Sequence, residues 1–229
     1  MATFVLIHGG GDSGWSWHLL EAELRARGHE TVAPDLPSDR PSAGLGEYVD
    51  AVVEAVGERQ DLVIVGHSYG AFTAPLVADR LRADVLVLLA GMIPEPGERP
   101  DDWWERTGCI QARDAAGLSA IEDPFESFYH DVPRELAEEA MRRERAEHSR
   151  AGGEPWPLTA WPDMPTKFIV CKDDHFFPPE FFRDLARKRL GVTPDEIGGG
   201  HCVALSRPQV LAELLVGYLR PSGYRNREE

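Results

Sequence analysis

Over the first 90 residues, short apolar runs alternate with longer segments whose apolar positions recur every three or four residues. The runs at 4–8, 31–34, 61–65 and 84–90 have strand character, and the segments at 15–27, 47–59 and 71–82 have helix character. Residues 84–90 (DVLVLLA) are apolar at nearly every position, the composition of a strand buried on both faces. Strands and helices in regular alternation predict a mostly parallel, doubly wound sheet with helices on both sides.

The alternation stops between Gly91 and Pro165, where proline and tryptophan are frequent and residues 133–150 form a charged stretch of helical pattern. It resumes with a strand at 166–171, a helix at 180–190, a short strand at 193–197 and a last helix at 209–219. The expected organisation is therefore an α/β core of about six strands at 1–91 and 165–221, a helical lid inserted at 92–164, and a polar tail at 222–229. The lid is expected to lie over the strand edges.

The third apolar run leads directly into Gly66-His67-Ser68-Tyr69-Gly70, and a helical segment follows. A strand, Gly-x-Ser-x-Gly and a helix in succession specify a nucleophile elbow, a turn so tight that its serine takes strained backbone geometry. A side chain in place of either glycine would meet the neighbouring strand or helix. Ser68 is thereby predicted to stand exposed at the carboxyl edge of the sheet.

A serine hydroxyl needs a base to take its proton and a carboxylate to orient that base. Both partners must come from loops at the same sheet edge. The loop after the strand at 166–171 supplies Asp173, Asp174 and His175; the loop after the last strand supplies three glycines and His201. The glycines let an imidazole approach the serine, so His201 is the expected base. His175 adjoins the candidate acids too closely, His67 is expected to turn toward the core, and His8 to support its own loop. His18, His29, His130 and His148 fall in helical or variable segments. Of the two acids Asp174 is favoured, with Asp173 the alternative. A metal reading of Asp173, Asp174 and His175 is set aside, because adjacent residues rarely converge on one ion.

A developing oxyanion requires fixed N–H donors, expected from Tyr69 and from the glycine loop at 9–11. That loop has no phosphate-binding spacing. The insertion carries Trp103, Trp104, Phe128, Tyr129 and Trp156, candidates to line an apolar pocket or to pin the insertion to the core.

The formal charge is −15, from 39 acidic against 24 basic residues, which disfavours nucleic acid and anionic membrane as partners. The first apolar run is too short for a secretion signal, and the three cysteines have no CxxC pair. A cytoplasmic protein with free thiols is expected.

Phe4-Val5-Leu6-Ile7-His8-Gly9-Gly10, Trp15-Ser16-Trp17, Pro34-Asp35-Leu36 and Gly66-His67-Ser68-Tyr69-Gly70 resemble the α/β-hydrolase superfamily, in particular its branch of plant methyl esterases and hydroxynitrile lyases. The resemblance implies Ser68, Asp174 and His201 as a triad, with Gly10 and Tyr69 as oxyanion donors. The lyases of that branch carry a lysine after the catalytic histidine and a threonine after the first-loop histidine; Cys202 and Gly9 stand at those positions here. Hydrolysis is therefore expected over cyanohydrin cleavage. The implied activity is a cofactor-free serine esterase acting on a small ester with an apolar acyl or aryl part. Thioester, lactone or lyase chemistry on the same triad, or a low-turnover receptor, are the alternatives. A small-molecule ester is the expected partner, and a homodimer is left open.

Overall fold

The computed structural model describes residues 1–219; the polar tail expected at 222–229, and residues 220–221 of the expected core, lie outside the described residues. Six strands form one sheet: β1 Thr3–Ile7, β2 Glu30–Val32, β3 Leu62–His67, β4 Val85–Leu89, β5 Thr166–Cys171 and β6 Asp195–Ile197. Their order is β2-β1-β3-β4-β5-β6, and every adjacent pair is parallel. β1, β3 and β4 are buried at every position, as their unbroken apolar runs require.

The chain leaves β1 toward β2 on one side, then returns to place β3 on the other. At such a reversal the connecting loops part and leave a crevice beyond the carboxyl ends of the strands. The loop at 9–11 and the elbow at Ser68 both open onto it.

The helices follow the periodicity of the sequence. In α1 (His18–Ala26) Leu20 and Leu24 form the buried stripe, and a Glu21–Arg25 ion pair of 2.6 Å braces the outer face. In α2 (Leu45–Val56) Leu45, Tyr48, Val49, Val52 and Val56 face inward. Its first turn is satisfied by carboxylates: Glu47 accepts from Gly44 N–H at 2.8 Å, and Glu154 accepts from Leu45 N–H at 2.9 Å. α2 packs on α3 (Ala74–Leu81). After the insertion come α7 (Pro179–Leu190), α8 (Val203–Ser206) and α9 (Pro208–Gly217), and α1 packs on α8 and α9.

Between β4 and β5 lie α4 (Pro100–Arg106), α5 (Cys109–Ala115), a π-helical turn Phe125–Tyr129 and α6 (Arg134–Arg142). The helix expected over 133–150 stops at Arg142. Beyond it the backbone is claimed by other loops: Arg145 N–H bonds Gly11 O at 2.8 Å, and the N–H groups of His148 and Ser149 bond Ser38 O at 2.8 and 3.0 Å. Those bonds replace the helical ladder.

The insertion divides between two cores. Trp103, Cys109, Ala151 and Trp156 belong to the main cluster around the sheet. Tyr129, Val132, Ala137 and Ala140 form a small second cluster with Leu205, flanked by Trp15, Phe125 and Phe128. Among the described residues, no helix is long and apolar enough to cross a membrane.

Candidate active site

β3 ends at His67, and Ser68, expected to stand exposed, is buried and takes φ +50°, a left-handed conformation unfavourable to any side chain. The bend is held from outside, by Met92 N–H donating to Ser68 O at 2.9 Å. It is also held tightly inside. A Cβ on Gly66 would lie 2.5 Å from the Ala74 Cβ, and one on Gly70 would lie 2.5 Å from His8 O. The helix expected from residue 71 begins with a 3-10 turn, Ser68–Phe72, before α3.

Asp174 and His201 meet because β5 and β6 pair with Cys171 opposite Ile197, bringing the loops that follow side by side. Asp174 Oδ2 lies 2.9 Å from His201 Nδ1, and both residues are buried. The other carboxylate oxygen accepts from Phe176 N–H at 2.7 Å and Phe177 N–H at 2.9 Å. The carboxylate is thus fixed by the backbone, and it in turn fixes the imidazole. Asp173 is exposed and instead accepts from Gly199 N–H at 2.8 Å. Asp131 of the insertion accepts from Gly200 N–H at 2.9 Å, with its second oxygen buried and without a partner. Two carboxylates therefore grip the glycines that carry His201.

His67 was expected to face the core. It is buried, but it lies beside His201, with ring centroids 4.7 Å apart and Nε2–H donating to His201 O at 3.0 Å. Burial pushes its pKa well below the ordinary histidine range, so it acts as a neutral donor. His8 Nδ1–H donates to Gly9 O at 2.8 Å, which leaves Nε2 to accept from Leu36 N–H at 2.9 Å. His130 and His175 stack at 3.8 Å and bond the carbonyls of Asp173 and Glu126, away from the cavity.

Ser68, His201, Gly10 and Tyr69 line one cavity of about 330 Å³. The bonds of His201 among the described residues are those to Asp174 and His67, so its Nε2 is unengaged, with no hydrogen bond to Ser68. Neither Gly10 N–H nor Tyr69 N–H has an acceptor among the described residues. A Cβ on Gly10 would come 3.6 Å from the Tyr69 Cβ, so the two backbones are neighbours.

Trp104, Phe128 and Tyr129 line the cavity; Trp103 and Trp156 do not. Both of the latter are fully buried, with indole N–H groups donating at 3.0 Å to Ile93 O and Phe72 O respectively. Each indole has both its apolar body and its donor satisfied inside the core, and they anchor the insertion. Phe176, beside the acid, was not anticipated; it packs 4.4 Å from Phe128 and lines the same wall. Asp12 and Glu144 were likewise missed as lining groups. No group of three or more His, Cys, Asp or Glu side chains among the described residues is placed to hold a metal ion.

The alpha/beta hydrolase family model matches residues 4–214. The chain is 38% identical over 259 residues to a probable esterase, PIR7A, of Oryza sativa subsp. japonica, covering 93% of this chain and 95% of that one. It is 26% identical over 249 residues to methylesterase 10 of Arabidopsis thaliana, covering 93% and 90%. Among solved structures, an extracellular alpha/beta-hydrolase from a Paenibacillus species, described as sharing structural and functional homology with tobacco salicylic acid binding protein 2, superposes with TM-score 0.77 at 22% identity, covering 95% of this chain and 98% of that one. With six parallel strands, an elbow serine and a match running from β1 into α9, this chain belongs to the alpha/beta hydrolase family, alongside the plant methyl esterases.

Proposed function

We propose that the protein is a serine carboxylesterase for small esters with an apolar acyl or aryl part. The observation that carries this reading is the convergence on one cavity of Ser68 at positive φ, the backbone-fixed Asp174–His201 pair, and two unengaged N–H groups. Ser68 Oγ attacks the ester carbonyl carbon while His201 Nε2 takes its proton. Gly10 N–H and Tyr69 N–H receive the oxyanion as the carbonyl π pair moves onto oxygen. Collapse of the intermediate expels the alcohol, protonated by His201, and leaves an acyl-serine. Water, deprotonated by the same imidazole, then repeats the sequence and releases the acid. Asp174 holds His201 with its proton on Nδ1, so that Nε2 stays free to act.

The esterase names of the full-length relatives support the reaction class. The cavity wall supports the substrate class, since Trp104, Phe128 and Phe176 offer an apolar aromatic surface, with Phe128 and Phe176 beside His201. Among the described residues no lysine or arginine lines the cavity, which favours hydrolysis over release of an anionic leaving group such as cyanide. Unpaired cysteines at 109, 171 and 202 suit a reducing compartment, and we place the protein in the cytoplasm.

The test is hydrolysis of p-nitrophenyl acetate and butyrate by the wild type and Ser68→Ala, with a fluorophosphonate label to mark the nucleophile. Activity and labelling that vanish together in a folded variant are expected. Turnover retained by Ser68→Ala would overturn the proposal.

A further inference from the structure

The cavity is lined by two chemically different sets of groups. Trp104, Phe128 and Phe176 make one; Asp12, Tyr129 and Glu144 are the other lining groups of interest. The Tyr129 hydroxyl has its pKa raised by burial first, and then by Cys202, Asp12 and Glu144, which places these groups in one neighbourhood. Asp12 is half-buried: one carboxylate oxygen accepts from Ser13 N–H at 2.8 Å, and burial pushes its pKa up against the opposing pull of His8, Ser13, Ser16 and His201. Glu144 is exposed to solvent, with a pKa raised by partial desolvation and by the nearby Asp12.

A desolvated carboxyl is costly unless a cation accompanies it. None does here. Neither Asp12 nor Glu144 has an ion-pair partner among the described residues, and the nearby arginines are committed elsewhere. Arg145 pairs with Asp35 and Asp39, both at 3.0 Å, and Arg143 pairs with Glu139 at 2.5 Å. Arg113 lies over the Phe176 ring and donates to the Phe176 carbonyl. A cavity that holds carboxyls without an ion-pair partner together with aromatic faces is an environment that binds an ammonium group, by charge and by attraction to the ring quadrupole.

Given the serine esterase reading, we propose that Asp12 and Glu144, with the Tyr129 ring, select substrates carrying a cationic nitrogen, so that the preferred ester joins an apolar or aryl part to an ammonium-bearing one. Asp12 is the principal determinant, because it is the more deeply buried of the two carboxyls. An anionic ester is correspondingly excluded.

Two pairs of isosteric esters test this, each differing only by nitrogen for carbon at the quaternary centre. On the acyl side the pair is p-nitrophenyl 4-(trimethylammonio)butyrate and p-nitrophenyl 5,5-dimethylhexanoate; on the alcohol side it is choline butyrate and 3,3-dimethylbutyl butyrate. In at least one pair the cationic member should have a kcat/KM about tenfold higher, and Asp12→Asn should lower that ratio about tenfold. Glu144→Gln, a surface change that leaves the core intact, should lower it by a smaller factor. A ratio of one or less in both pairs, or a ratio unmoved in both variants, would overturn the proposal. Binding is read independently of turnover by calorimetry with phenyltrimethylammonium on Ser68→Ala. Cation binding that weakens with Asp12→Asn, in a protein that hydrolyses none of the four esters, would sink the esterase reading and leave the cation site standing. Hydrolysis of the neutral esters with no phenyltrimethylammonium binding would do the reverse.

Discussion

Asp174→Asn isolates the role of the buried acid with almost no change in shape. Asp174 presents one oxygen to the N–H groups of Phe176 and Phe177 and the other to His201 Nδ1. Asparagine has only one oxygen, and the two backbone donors claim it. Its NH₂ group must then face Nδ1, which can bond it only by accepting. The imidazole proton moves to Nε2, the nitrogen that takes the Ser68 proton in the proposed mechanism. The variant is therefore folded and holds its base in the wrong tautomer. A loss of that kind is on the order of 10⁴ in kcat, or about 5 kcal/mol of transition-state stabilisation at about 1.4 kcal/mol per factor of ten. The assay is kcat for p-nitrophenyl butyrate under saturating conditions, with thermal melting to show that the fold persists. Asp173→Asn is the control. Its carboxylate bonds Gly199 N–H, a bond the amide oxygen can keep, so kcat should stay within about tenfold of wild type. A folded Asp174→Asn enzyme losing less than about tenfold, or an Asp173→Asn enzyme losing 10⁴, would refute the reasoning.

Other changes separate chemistry from packing. Trp103→Ala should cost about 3–5 kcal/mol in urea unfolding, because the side chain is fully buried and satisfied. Trp104→Ala should act mainly on KM for aryl esters, since that ring lines the cavity. Gly70→Ala should cost about 1–3 kcal/mol by overpacking, as its Cβ would fall 2.5 Å from His8 O; an unchanged urea midpoint would show that the elbow is looser than described. His67 gives a pH signature. Its folded pKa lies well below the unfolded value, so below about pH 6.5 the unfolded chain binds the proton more readily and stability falls. Wild type should lose about 1 kcal/mol more than His67→Gln between pH 7 and 5.5, and parallel pH curves for the two would contradict a neutral buried imidazole.

The strands and the elbow were legible because each is specified locally. A run such as 84–90 has only one way to be buried, and Gly66 and Gly70 announce a turn that admits no Cβ. The meeting of Asp174 and His201 was legible through their place after successive strands. What escaped was set by contacts remote in sequence. Asp131 meets Gly200 across 69 positions, and nothing in the charged stretch around it distinguishes a loop clamp from a solvated face. The pattern at 133–150 is helical throughout, yet its last third is captured by Gly11 and Ser38. Composition marks Trp103 and Trp156 as pocket candidates as readily as Trp104. Only the carbonyls of Ile93 and Phe72, which receive their N–H groups, show that two of the three are anchors.

The division of the insertion between two cores has a consequence for how such an enzyme diversifies. Trp103 and Trp156 tie the base of the insertion into the sheet, whereas Phe128, Tyr129 and their neighbours rest on a cluster of small buried area around Ala137, Ala140 and Leu205. A substitution among the latter reshapes the cavity while disturbing few of the contacts that make the chain fold. Mutational drift in substrate choice is thereby decoupled from loss of the protein, and the reacting groups, carried by the sheet, stay in register while the wall facing them changes.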